Sequence, residues 1–284
     1  MTPTPLDGVT IEDEASFRHV ALYRSLKQVV RDSSYRFRVL PRTASPRWDR
    51  ALFLNLTFWS ASGDGDVLVA ARLPADVVTH VAWHHLAAKQ LATGRGALST
   101  DALFLGEAIA SAFDLYLVGR LLGRAPRSSF LATQVSAMAE SASAAGMSSA
   151  GFAALLADVA RDPDGAFEDL RALLFDATTA LLRCRSVEQA SRVLARHDEH
   201  RFAALLHHYE LSNWVLYARA HAPGGARDRR VRSIDRSLRR ADVALDWLVT
   251  RWLSESAGPG APRTPSRPPS RRMDRARTPR PRRP

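Results

Sequence analysis

Two histidines, His80 and His84, stand four residues apart in the stretch LPADVVTHVAWHHLAAKQLA. A glutamate, Glu107, sits inside the apolar run DALFLGEAIASAFDLYLVGRLL. Residues four apart on a helix share a face, one turn apart. Two imidazoles on one face and a carboxylate on the following helix make a donor set for a divalent metal, and Zn²⁺ takes such nitrogen and oxygen ligands. The residue after the first histidine decides what the metal would do, because a metal-dependent hydrolase would carry its general base there. Here it is Val81, which cannot accept a proton.

Periodicity separates these candidates from their neighbours. His80 and His84 share their helical face with Val77, Ala87 and Leu91, an apolar stripe that should point inward. His85 is turned about 100° away, beside Val78, Ala82 and Lys89, and is the weaker ligand candidate. On the next helix Glu107, Ser111, Asp114 and Val118 fall on one face, while nearly everything else from Ala102 to Leu122 is apolar. A carboxylate buried there unpaired would be expensive, so a metal or a histidine is its natural partner.

A sheet, then a helix with His-x-x-x-His, then a helix with glutamate in a Gly-Glu-Ala context, resembles the zincin metallopeptidases, and among them the glutamate-ligand branch, the gluzincins. The resemblance covers roughly residues 35–120. It implies that His80 and His84 match the two zinc-binding histidines and that Glu107 matches the third ligand. The 22 residues between His84 and Glu107 are compatible with that branch. Asp114 would then orient a histidine from behind, although it is not at the family's usual offset. The family's motif is H-E-x-x-H, with the glutamate as general base, whereas this chain reads H-V-A-W-H. The resemblance therefore implies a zincin-like protein that keeps its metal ligands and lacks peptidase chemistry. An active metalloenzyme with an unconventional base is a third reading. The same residues can also satisfy one another without metal, Glu107 pairing with His80, His84 or an arginine such as Arg72. Either way His80, His84 and Glu107 should be neighbours.

The elements that must position these residues read as α+β, mostly helical. A first helix is expected from about Glu12 to Arg31. Strands are expected at Tyr35–Leu40, Ala51–Trp59 and Asp66–Ala71, the last after the turn SASGDGD, which together make a small antiparallel sheet. The two candidate helices follow, separated by TGRG and capped at Ser99–Asp101. Helical periodicity then recurs near 129–145, 149–161, 164–183, 186–196, 198–221 and 229–255. These divide into a zincin-like α+β region (1–125), a helical region packed on it (126–257) and a tail (258–284). The tail is Pro, Arg, Ser and Thr with almost no apolar content, and such a composition is expected to be disordered. No internal repeat is present.

Composition narrows the classes. The net charge of +11 is concentrated: residues 258–284 hold nine arginines and one aspartate, and residues 227–240 hold seven arginines and two aspartates. The rest is close to neutral. An alternative function follows from that asymmetry, a metal-free helical interaction protein whose basic tail binds nucleic acid or a protein partner through phosphates or P-x-x-P spacings. Arginines opening the helix at 229 oppose its dipole, so that turn should be frayed or held by a partner. The single cysteine, Cys184, excludes an internal disulfide and a thiolate-rich metal site, and fits a cytoplasmic setting. The N-terminus has no signal-peptide pattern. Residues 102–119 nearly reach membrane-spanning length, but they carry Glu107 and Asp114, and an acid at a bilayer centre costs about 2.5–3.5 kcal/mol. A buried helix is the better reading. His197, His200, His207 and His208 cluster further on; the zincin resemblance would make His207, His208 or His221 candidates to steady an oxyanion, and a solvated helix face is the simpler account. No phosphate-binding glycine loop or G-x-S-x-G elbow occurs.

Overall fold

The computed structural model describes residues 1–44, 65–92, 98–221 and 228–254. The expected strand Ala51–Trp59, most of its turn, the TGRG loop, most of HAPGG and the tail from Gly258 lie outside the described residues. Within them the chain is α+β and mostly helical.

The N-terminal part alternates short strands and helices: β1 (Thr2–Thr4), β2 (Thr10–Glu12), α1 (Glu14–Phe17), α2 (Tyr23–Asp32), β3 (Phe37–Val39), β4 (Val67–Leu68) and β5 (Arg72–Pro74). The sheet is mixed rather than antiparallel. β3 pairs antiparallel with β1 and parallel with β4, while β2 and β5 form a separate parallel pair. The missing signal was the N-terminus. Its strands, TPT and TIE, are three residues long and lack an alternating apolar face, yet β1 fills one edge of β3. The first helix is split at residues 18–22, where Val20 and Tyr23 close successive turns through backbone bonds to Phe17 and Val20.

Helices then dominate: α3 (Ala75–Leu91), α4 (Thr100–Leu121), α5 (Ser129–Ala144), α6 (Ser149–Arg161), α7 (Pro163–Leu181), α8 (Val187–Ala195), α9 (Leu211–His221), α10 (Arg229–Arg240) and α11 (Ala244–Leu248). The expected helix 198–221 is a 3₁₀ segment, Ala203–Tyr209, followed by α9. Glu210 breaks it with φ +47°, a left-handed conformation that ends a helix. The expected helix 229–255 is likewise divided. Val243 is extended, and Val249–Leu253 closes as a π-helix.

Helix α4 is the axis of the core. Every residue from Thr100 to Leu121 except Asp114 and Arg120 is buried. It is long and apolar enough to cross a membrane, but 94% of its most apolar window is covered by the protein itself. Helices α3, α6 and α7 pack around it. Two glycines set the close approaches. A Cβ on Gly106 would sit 3.3 Å from the Cβ of Ala87 on α3, and one on Gly119 would sit 2.6 Å from the Val159 carbonyl on α6. The first approach lies one residue before Glu107, so it brings α4 near enough to α3 for that carboxylate to reach across. One large buried apolar cluster draws residues from Leu6 to Leu253, and Leu40 and Val67 form a second, small one.

Candidate metal centre

The α3–α4 contact carries a polar seam through an otherwise apolar interface. On α3, Asp76, His80 and His84 recur every four residues. On α4, Glu107 and Asp114 recur seven apart. Helical spacing therefore stacks three groups against two.

At one end of the seam His84 Nε2 lies 3.1 Å from His80 Nε2 and 3.1 Å from Glu107 Oε1. The ligand atoms of His80, His84 and Glu107 all fall within 4.8 Å of one another, an arrangement that can hold a metal ion. Ligands about 2.0–2.2 Å from a common tetrahedral ion stand a little over 3 Å apart, which matches the two 3.1 Å separations. The contact between Glu107 Oε1 and His84 lacks the direction of a hydrogen bond, and among the described residues no donor reaches that oxygen. The Glu107 side chain is only 3% exposed. An ionised carboxylate in that setting calls for a cation, which either a protonated His80 or a metal ion that displaces its proton can supply.

The other end of the seam sets His80. Its Nδ1 lies 3.0 Å from Asp114 Oδ2. A carboxylate only accepts, so Nδ1 carries a hydrogen and donates it. Nε2 is thereby turned toward His84 and Glu107. This is the outer-shell arrangement that orients a metal-binding imidazole and raises its basicity. Burial alone would lower the His80 pKa, but the charge and hydrogen bond of Asp114, with Glu107 and Asp66 beyond, carry it up to about 9. Asp76 is pushed up to about 6 by burial and by the charge of Asp114. The imidazoles are not sealed in: side-chain exposure is 22% for His80 and 27% for His84.

The three expected ligands are thus brought together, and Asp114 stands behind His80. Val81 is buried in the core, 7% exposed. His85 stands apart, its pKa lowered by burial and by Lys89. Arg72 is not the partner of Glu107; it pairs with Glu12 at 3.6 Å, because β5 lies in register with β2. Of the later histidines among the described residues, His208 is the one that feels the charge of Asp114, as does half-buried Tyr209, whose pKa is raised by burial and by that charge. His207 is exposed and lines a separate groove of about 740 Å³ between α8 and α9. His200 accepts a hydrogen bond from the Phe202 amide at 3.2 Å. Cys184 is half-buried and donates weakly to the Ala180 carbonyl.

Two acids beside the site were not singled out from sequence. Asp76 carried a signal, being four residues before His80. Asp66 carried none, because it belongs to a turn-forming Gly-Asp-Gly-Asp run and only the fold lets its charge act on His80.

The basic helix is held differently from expectation. Asp228 caps α10 by accepting from the Arg230 and Val231 amides, and itself accepts from the Ser99 hydroxyl at 2.8 Å. Arg232 makes a two-pronged pair with Asp101 at 2.9 Å. The start of α10 is anchored on the start of α4, and Arg230, Arg232 and Arg239 bond to other parts of the fold. No protein-family model matches the chain, and no curated protein or solved structure matches it.

Proposed function

We propose that this protein binds one divalent metal ion, Zn²⁺ being the best fit, through His80, His84 and Glu107, in a zincin-like manner but without the peptidase route of that family. The observation that carries the reading is the buried Glu107 Oε1, unmatched by any hydrogen-bond donor among the described residues and 3.1 Å from an imidazole nitrogen that is itself 3.1 Å from another. Two nitrogens and one oxygen suit zinc, and three protein ligands with partial exposure leave a position for a further ligand. Val81 stands where the motif carries its base, which closes the motif's own path to peptide hydrolysis. A single cysteine and a core-buried apolar helix fit a cytoplasmic setting.

The test is metal content and its effect on stability. Protein purified without chelator should carry about one zinc per chain, and its melting temperature should fall when the metal is stripped, since a ligand bound only to the folded state stabilises it. Protein that takes up no zinc and melts identically with and without a chelator refutes the reading. The rival reading, nucleic-acid binding through the basic tail, predicts salt-sensitive DNA binding that vanishes on deleting residues 258–284.

A further inference from the structure

The groove of about 740 Å³ between α8 and α9 lies apart from the seam. Helical spacing builds its walls. Val187, Ala190 and Leu194 line it from α8 at steps of three and four, and Leu211, Val215 and Leu216 line it from α9. Buried Leu181 and Leu206 complete the apolar lining. Among the described residues the exposed large apolar side chains are Met1, Val69, Val187 and Leu216. Two of those four belong to this groove, Val187 being 77% exposed and Leu216 61%. Apolar surface left open in a concavity marks a binding site. The volume falls within the roughly 300–1,000 Å³ of small-molecule sites.

One end of the groove is cationic. Arg183, Arg185 and Arg219 line an adjoining recess, and Cys184, Arg185 and Arg219 belong to groove and recess alike. Arg219 closes the α9 wall there. Its Nη2 donates to the Leu182 and Cys184 carbonyls at 3.0 and 2.6 Å, just past the end of α7. Those partners are neutral, so the charge of Arg219 stays uncompensated. Arg183 and Arg185 are exposed. Among the described residues no carboxylate pairs with any of the three, and a guanidinium keeps its charge at any physiological pH. The one carboxylate in the groove lining, Glu210, accepts from Asn213 Nδ2 at 2.7 Å. It precedes Leu211, which lies about 12 Å along α9 from Arg219. Charge of one sign is therefore gathered at one end and apolar surface runs along the rest.

We propose that this groove binds a free long-chain carboxylate, with the apolar chain lying between α8 and α9 and the carboxylate at Arg183, Arg185 and Arg219. Charge complementarity carries the choice of occupant. Three uncompensated guanidinium groups at one end fit one anionic head, and arginine matches a planar carboxylate with paired hydrogen bonds. The apolar walls fit a chain with no polar atoms along its length. A protein partner would instead meet a polar rim on all sides of an apolar centre. The groove shares no residue with the His80–His84–Glu107 set, so the proposal stands independently of any metal.

The test is titration calorimetry on the full chain with octanoate, decanoate and dodecanoate, each below its micelle concentration. One site per chain is expected, tightening about tenfold for every two carbons added. Dodecanol, which keeps the chain and lacks the charge, should bind at least about tenfold more weakly than dodecanoate. The double variant Arg183→Gln, Arg185→Gln alters two exposed side chains and should weaken dodecanoate about tenfold or more while leaving dodecanol unchanged. Leu216→Ser, at an exposed position, should weaken both ligands alike, by about fivefold, and serves if the double variant does not fold. No saturable binding, an affinity independent of chain length, or dodecanol bound as tightly as dodecanoate overturns the proposal. So does a double variant that binds dodecanoate as wild type does. Binding only to vesicles of anionic phospholipid, with none to dodecanoate, would assign the face to a membrane surface and overturns it too.

Discussion

Two of the polar clusters in the helical core, among the described residues, are built on opposite plans. Between α7 and α10, Arg171 is fully buried and every arm of its guanidinium is used. Its Nε and Nη2 reach Glu168 at 2.7 and 2.6 Å, and its Nη1 reaches Asp235 at 2.9 Å. Asp235 is shared with Arg239, which continues to Asp176 at 2.9 Å. Between α3 and α4 the donors and acceptors do not match. Glu107 Oε1 and Asp114 Oδ1 are buried without a hydrogen-bond partner among the described residues, while imidazole nitrogens crowd toward one point. A buried network that satisfies itself is a strut. A buried network with surplus acceptors near a common position can hold a metal ion.

The largest expected effect breaks the strut. Arg171→Ala leaves Asp235 and Glu168 facing a void and should destabilise the protein by about 3–5 kcal/mol, read by urea denaturation, with the same loss whether or not zinc is present. A loss below about 1 kcal/mol would show that this cluster is not the closed network its geometry indicates.

The next effect separates the clusters. Asp114→Asn keeps the shape behind His80 but removes the charge that orients and enriches its ring. Zinc affinity should fall by about 10–100-fold, measured by competition with a coloured chelator, while metal-free stability should fall at neutral pH, where Asp114 holds the His80 proton, and change little above pH 9. Unchanged affinity would mean that Asp114 does not support a ligand.

The smallest effect is a pH dependence with opposite signs in the two metal states. In the metal-free protein the folded His80 has a pKa of about 9 against 6.5 for an ordinary histidine. A raised folded pKa means that protonation contributes stability that is fully present below pH 6.5 and is lost as the pH climbs through 9. The melting temperature of the stripped protein should decline across that window, and His80→Gln should abolish the decline. Metal must displace the same proton, so zinc affinity should rise over the same range. A stripped protein whose stability is flat from pH 6.5 to 9 contradicts the assignment.

Much of the site was legible because helical spacing is a local property. The four-residue step from His80 to His84 put both on one face, the apolar run around Glu107 required that acid to be buried, and the ring of His85 could be set aside by rotation alone. The helices 149–161 and 129–145 were equally plain from their periodicity and Ser caps, and the observed bounds differ by at most a residue. The longer expected helices failed where a single backbone state overrode the pattern, at Glu210 with its positive φ and at Val243 with its extended one. The strands at the N-terminus were illegible because they are too short for period two to register.

What the sequence by itself determined is therefore the set of groups on each helix face and the valine where a base would stand. What only the tertiary structure decided is which faces meet and what arrives from elsewhere. The Gly106–Ala87 approach sets how near Glu107 comes to His84, and Asp101 claims Arg232 for the fold. Those outcomes depend on contacts between residues far apart in the chain, whose geometry is fixed by how the core closes around α4.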